Sequence, residues 1–189
     1  MNIKGIVKRL WHFIWEDNSI WSWLVNVALA FILVKFIIYP GLGLLFGTSY
    51  PVVAVVSGSM EHDGSFNSWW NEQKDFYESL GITQEEFKDY RFKNGFNKGD
   101  IMVLLKAKNI EKGDVIVFWG SAREPIIHRI VKITKVNEIT YQTKGDHNSN
   151  SREDELSITR DKILGKAVLR VPYLGWVKLI FVKIIGGEI

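Results

Sequence analysis

The stretch that most constrains this chain is an almost wholly apolar run over residues 20–39. As a helix, these 20 residues would be about 30 Å long, which is the thickness of the hydrocarbon core of a bilayer. Tryptophans stand near its start and tyrosines near its end, as in the aromatic belts of membrane spans. The run is longer than the 7–15 residues or so of a signal-peptide core, and no A-x-A site follows it. We therefore predict a permanent membrane anchor over 20–46.

The charges around the anchor predict its orientation. Lys4, Lys8 and Arg9 precede it, and the first basic residue after it is Lys74. Positive charge is retained on the cytoplasmic side, so residues 1–19 are expected in the cytoplasm and the remainder outside.

Composition excludes several classes of function. The formal net charge of +3 is small and scattered, which gives no support to nucleic-acid binding. The chain has no cysteine, which excludes disulfides, thiolate metal sites and cysteine nucleophiles. With 189 residues and 47% hydrophobic content, it can fold as one domain of ordinary size.

A short apolar run at 52–56 ends in Ser57-Gly58-Ser59. Its β-branched composition predicts a buried strand. A serine at the end of a rigid strand can be held in one orientation, as a nucleophile requires. The plainer alternative is a strand that runs into a Ser/Gly turn.

The remaining chain predicts a mainly β fold, with a small sheet or barrel-like catalytic domain over 47–170. Apolar runs separated by Gly, Asn or Asp turns follow residue 98. A polar, aromatic segment over 62–97 predicts a helical insertion, in which Trp69 and Trp70 either pack on the domain or contact lipid headgroups. The C-terminal 171–189 is apolar with two lysines, and we expect a helix associated with the membrane without fully crossing it.

A serine nucleophile needs a base and an acid that orients the base. His128 interrupts the apolar run 126–131, which makes it the strongest candidate base, although a lone strand histidine is often structural. The polar loop 144–155 offers four carboxylates, and the sequence does not choose among them: Asp146, Glu153, Asp154 and Glu155.

Several short motifs occur in a fixed order after the anchor. They are Ser-Gly-Ser-Met-Glu at 57–61, Lys-Gly-Asp at 98–100, Gly-Asp-Val-Ile-Val-Phe at 113–118, Ile-His-Arg-Ile-Val at 127–131, Thr-Lys-Gly-Asp at 143–146 and Val-Pro-Tyr-Leu-Gly at 171–175. In this order they resemble type I signal peptidases of the archaeal and endoplasmic-reticulum kind. The insertion after Glu61, where that family usually has proline, is a departure.

The resemblance implies a role for five residues. Ser59 would be the nucleophile and His128 the base, standing where bacterial relatives place a lysine. Asp154 would be the triad acid and Asp146 a second important acid, although their eight-residue separation is longer than in many relatives. The hydroxyl of Ser57 would help to bind the oxyanion.

The resemblance also implies a function: a membrane-anchored serine endopeptidase that removes signal peptides from exported preproteins by Ser-His-Asp acyl-enzyme chemistry. It implies no cofactor and no metal. The expected partners are preproteins, the lipid bilayer and the translocation machinery, with the catalytic domain on the extracytoplasmic side of the cell membrane.

Two alternatives stay open at the level of sequence. The first is a membrane-tethered β domain that binds a partner without catalysis, with Ser59 in a turn. The second is a Ser–Lys hydrolase that uses Lys106, Lys132 or Lys144, although nothing in their sequence setting indicates a depressed pKa.

Overall fold

The structure is a computed structural model that describes residues 3–121 and 124–184. The chain divides into two compact units, Met1–Leu45 and Phe46–Ile189.

The first unit is helical. Helix α1 (Ile3–Trp15) is followed by α2 (Ile20–Leu33), whose first turn is capped by the hydroxyl of Ser19. A π-helical turn, Val34–Ile38, joins α2 to α3 (Tyr39–Phe46), so the helix continues through Pro40. Ile20–Phe46 is the one helix among the described residues that is long and apolar enough to cross a membrane.

The second unit is built on a curled sheet of six antiparallel strands. The strands are β1 (Val52–Ala54), β2 (Ile101–Leu105), β3 (Val115–Phe118), β4 (Ile126–Val136), β5 (Glu138–Lys144) and β6 (Ile163–Val171). Their order across the sheet is β1-β2-β6-β3-β4-β5. The predicted mainly β, barrel-like fold with accompanying helices is confirmed.

Two helices lie in the predicted insertion. Helix α4 (Phe66–Ser79) is capped by Ser65, and α5 (Gln84–Lys88) is capped by Thr83. Trp69 and Trp70 are only 2% and 3% exposed, because they pack in an aromatic cluster that also contacts Val131 of β4. The structure thus favours the packing alternative for these two side chains over contact with headgroups.

Helix α6 (Trp176–Ile184) ends the described chain. Leu179 is its buried residue, and several of its other apolar side chains are exposed. Residues 185–189 of the predicted C-terminal segment lie outside the described residues.

Candidate active site

Ser59 is held by backbone contacts on both sides. Beyond β1 the chain stays paired, because the amide of Val55 donates to the carbonyl of Asp100 at 2.9 Å. The next residue, Met60, is completely buried in the core. The carbonyl of Ser59 accepts from the amide of His147 at 2.9 Å. The half-buried Ser59 hydroxyl therefore projects from a fixed backbone.

His128 faces this hydroxyl. It lies on β4 opposite Ile116 of β3, and it is only 4% exposed. Its Nε2 is 2.9 Å from the Oγ of Ser59, a hydrogen-bonding distance. The two residues are 69 positions apart in the sequence, and the fold brings the predicted nucleophile and base together.

Glu155 holds the other side of the imidazole. Its Oε1 contacts Nδ1 of His128 and also accepts from the hydroxyl of Thr143 at 3.0 Å, while its Oε2 accepts from the amide of Arg152. Burial alone would raise the pKa of Glu155, but these donors and the charge of His128 hold that pKa below its usual value. The carboxylate is therefore ionised at neutral pH and can accept a hydrogen bond from Nδ1–H.

Asp154 lies elsewhere, although the family resemblance implied it as the triad acid. Its Oδ2 accepts from the amide of Ser121 at 2.8 Å and from the hydroxyl of Ser121 at 2.7 Å, and it also contacts Arg152. Residues 153–155 form one turn of 3₁₀ helix, in which adjacent side chains point about 120° apart. One turn thus directs Glu155 inward and Asp154 to the surface loop.

Asp146 is at the centre of a separate buried network. Its carboxylate accepts from Nε and Nη2 of Arg129 at 2.9 and 2.7 Å and from the hydroxyl of Tyr77 at 3.0 Å, and it contacts Nε2 of His62 at 3.0 Å. Burial raises the pKa of Asp146, yet the charge of Arg129 outweighs it and holds that pKa well below its usual range. Asp146 is therefore a fixed, buried anion within the loop that reaches Ser59.

The same loop places Gly145 against the reacting groups. A Cβ at this position would lie 2.8 Å from Nε2 of His128 and 2.7 Å from the carbonyl oxygen of Ser59. Only glycine lets the backbone approach this closely.

Lys144 differs from the expectation made for the three candidate lysines. Lys106 and Lys132 are exposed, whereas Lys144 is buried, and burial lowers its pKa to about 8. Its Nζ donates to the side-chain oxygen of Gln73 and to the carbonyls of Gly145 and Asp146, and it lies over the ring of Tyr77. These contacts orient the ammonium towards the insertion, on the side of the loop that carries the Asp146 network.

Ser57 lies on the open side of the site. Its exposed hydroxyl is 3.2 Å from the hydroxyl of Ser59. Among the described residues, no group of three or more His, Asp or Glu side chains is placed to hold a metal ion.

One feature of the sequence could have revealed more of the site. Arg129 follows His128 inside an apolar strand, and two consecutive buried polar residues on a strand must face opposite sides of the sheet. The polarity of Arg129 therefore signalled a buried anion, which is Asp146. No comparable signal distinguished Glu155 from its two acidic neighbours.

Comparison with known proteins points to one group. No family model matches the chain. It is 27% identical over 153 residues to the signal peptidase complex catalytic subunit SEC11C of Homo sapiens, which covers 76% of this chain and 63% of that protein. It is 27% identical over 169 residues to SEC11 of Colletotrichum graminicola, covering 84% and 79% of the two chains. It is also 27% identical over 137 residues to SEC11 of Plasmodium falciparum, which covers 68% of this chain and 57% of that protein.

The resemblance to signal peptidases of the endoplasmic-reticulum type is thereby confirmed. The matched region spans about 63% of the length of the mammalian relatives.

Proposed function

We propose that this chain is a membrane-anchored serine endopeptidase that removes N-terminal signal peptides from exported preproteins. The observation that carries the proposal is the contact of Ser59 Oγ with His128 Nε2 at 2.9 Å, with Glu155 on the other ring nitrogen. This arrangement is the one that activates a serine hydroxyl for acyl transfer. The similarity to SEC11 catalytic subunits supports the same activity.

In the proposed mechanism, Ser59 Oγ attacks the carbonyl carbon of the scissile peptide while Nε2 of His128 takes the hydroxyl proton. Glu155 keeps the Nδ1 proton in place and stabilises the imidazolium that forms. The backbone N–H of Ser59 and the hydroxyl of Ser57 are the proposed donors to the oxyanion. His128 then protonates the leaving amine, and water, deprotonated by His128, hydrolyses the acyl-enzyme.

The acidic residues have different proposed roles. Glu155 takes the role that the family resemblance implied for Asp154, because it is the carboxylate in contact with His128. Asp146 is a positioning residue, since it fixes the loop whose amide at His147 holds the carbonyl of Ser59. The proposed chemistry needs no metal and no cofactor.

The proposed substrates and surroundings follow from the anchor. The helix Ile20–Phe46 would hold the protein in the cell membrane, with residues 1–19 in the cytoplasm and the catalytic domain on the extracytoplasmic side. The apolar segment of a signal peptide lies in the same bilayer. The relatives are named as subunits of a signal peptidase complex, so we include the translocation machinery and further subunits among the proposed partners.

Cleavage of a preprotein by the full chain in liposomes tests this function. We expect the wild type to release the signal peptide and Ser59→Ala to lose on the order of 10⁴–10⁶-fold in rate, as nucleophile loss does in serine proteases. Ser79→Ala, which changes an exposed serine at the end of α4, is the matched control. Cleavage by Ser59→Ala at the rate of Ser79→Ala would exclude Ser59 as the nucleophile, and a wild type that does not cleave would favour a non-catalytic binding domain.

A further inference from the structure

Helix α1 has one apolar side that the described structure leaves uncovered. Ile3, Val7 and Leu10 are 76%, 57% and 54% exposed, and Trp11 and Trp15 are exposed to a similar degree. The apolar residues recur at spacings of three and four, which places them along one side of the helix. No residue of α1 is buried.

The opposite side of α1 is basic. Lys8, Arg9 and His12 lie there, Lys4 lies at its border with the apolar side, and residues 3–15 contain no Asp or Glu. The two acids that follow the helix are engaged locally, because Glu16 contacts His12 and Asp17 accepts from the amide of Ser19. A short helix with one apolar side and one cationic side is suited to an anionic lipid surface.

The junction with α2 fixes where α1 ends. The hydroxyl of Ser22 donates to the carbonyl of Phe13 at 2.5 Å, and the side-chain amide of Asn26 donates to the carbonyl of Ile14 at 2.8 Å. These bonds satisfy carbonyls at the C-terminus of α1 that have no partner within the helix. The end of α1 is therefore attached to the first two turns of the candidate span.

The lengths of the two helices allow that junction to lie at the membrane boundary. The candidate span of 27 residues is about 40 Å long, which exceeds the hydrocarbon core by about 10 Å. One or two turns at an end of the span therefore extend into the headgroup layer. The 13 residues of α1 make only about 20 Å, which is too short to cross the core.

From these observations we propose that α1 lies along the headgroup layer of an anionic membrane surface. Its apolar side faces the acyl chains, and its basic side contacts the lipid phosphates. The chemistry recognised is that of anionic phospholipid headgroups, which are enriched in the leaflet facing the cytoplasm. This surface is separate from the catalytic residues and does not depend on the proposed peptidase activity.

The absence of cysteine makes the test direct, because a single introduced cysteine can carry a spin label in the full chain. The labels are placed by Val7→Cys and Leu10→Cys on the apolar side, and by Gly5→Cys and His12→Cys on the polar side. The chain is reconstituted in vesicles of phosphatidylcholine, either alone or mixed with phosphatidylglycerol. Collision of each label with oxygen and with a neutral nickel chelate then reports whether it lies in lipid or in water.

In the mixed vesicles, we expect the ratio of oxygen to nickel collisions to be several-fold higher at positions 7 and 10 than at 5 and 12. This contrast between the two pairs of positions should be smaller in phosphatidylcholine alone, and also in the variant Lys8→Gln/Arg9→Gln. Lys93→Gln/Lys162→Gln, which removes two exposed charges elsewhere, should leave it unchanged.

Three outcomes would overturn the proposal. Equal access of the nickel chelate at all four positions would mean that α1 stays in water. An identical contrast in both kinds of vesicle would exclude recognition of anionic lipid. A contrast that disappears when the protein is diluted in lipid would show that a second copy covers the apolar side.

Discussion

At the scale of single residues, the lowered pKa of Lys144 makes the free energy of unfolding depend on pH. Burial lowers the pKa of this lysine to about 8 from its ordinary 10.5. Below pH 8 it is protonated in both the folded and the unfolded protein. Between these two values the unfolded chain keeps a proton that the folded protein has released, so the free energy of unfolding increases as pH rises through this window.

Lys144→Met isolates this effect, because methionine has a similar length and does not titrate. We expect the difference in melting temperature, wild type minus Lys144→Met, to become more positive between pH 8 and pH 10. The comparison cancels the contributions of other titrating groups that both proteins share. A difference that stays constant or becomes more negative over this range would show that Lys144 is not held in a site of low pKa.

The carboxylates at positions 154 and 155 show where sequence reasoning ends at the residue scale. The sequence alone does not tell which of two adjacent acids in a loop faces His128. That depends on how the 3₁₀ turn packs against the sheet. The bridge between Tyr141 and Ile158 fixes the end of this loop against β5, and it joins residues 17 apart. The contact between Ser59 and His128, in contrast, agrees with the sequence prediction, because Ser59 follows an apolar run and His128 interrupts another.

At the scale of elements, the loop after β5 connects the insertion to the candidate active site. Trp69 donates from its indole nitrogen to the carbonyl of Asp146 at 3.0 Å, and the insertion residue His62 stacks on the same indole. On either side of Asp146, Gly145 lies against Ser59 and His128, and the amide of His147 donates to the carbonyl of Ser59. The loop therefore contacts both the insertion and the residues around Ser59.

Gly145→Ala tests the close approach of the loop backbone to Ser59 and His128. The added methyl group would lie under 3 Å from Nε2 of His128, the carbonyl oxygen of Ser59 and the side-chain nitrogen of Asn148, so the loop or the reacting groups must shift. We expect kcat for preprotein cleavage to fall by on the order of 10²-fold, as displacement of a reacting group by about 1 Å can cause. KM should change less, because the methyl group acts on the reacting atoms.

The matched control is Gly5→Ala, where an added Cβ meets nothing within 4 Å. A folded Gly145→Ala protein with wild-type kcat would mean that the loop and the reacting groups do not constrain each other.

The helices of the insertion were largely predictable, and their contacts were not. The serine and threonine caps and the glycine after α4 are local signals, and the helix ends agree with them to within about one residue. The network around Asp146 joins residues as far apart as 84 positions, and no local pattern encodes such a contact.

At the scale of the whole molecule, the proposed orientation depends on the charges that flank the span. Single cysteines again give a direct test in this cysteine-free chain. Lys93→Cys, on the insertion side, should react with a membrane-impermeant thiol reagent applied to intact cells. Lys8→Cys should react only after the membrane is permeabilised. The reverse pattern of labelling would place the candidate active site in the cytoplasm and contradict the proposed function.

The central claim is that Ser59, His128 and Glu155 act as one catalytic unit, and a double-mutant cycle on His128 and Glu155 tests it most directly. The rate of preprotein cleavage in liposomes is measured for His128→Ala, Glu155→Gln and the double variant, with Asp154→Asn as the matched control. If Glu155 acts only through His128, then Glu155→Gln should slow the wild type by orders of magnitude and have no further effect once His128 is alanine. Asp154→Asn should stay near the wild-type rate. Losses that multiply in the double variant, or a larger loss in Asp154→Asn than in Glu155→Gln, would contradict the proposed unit.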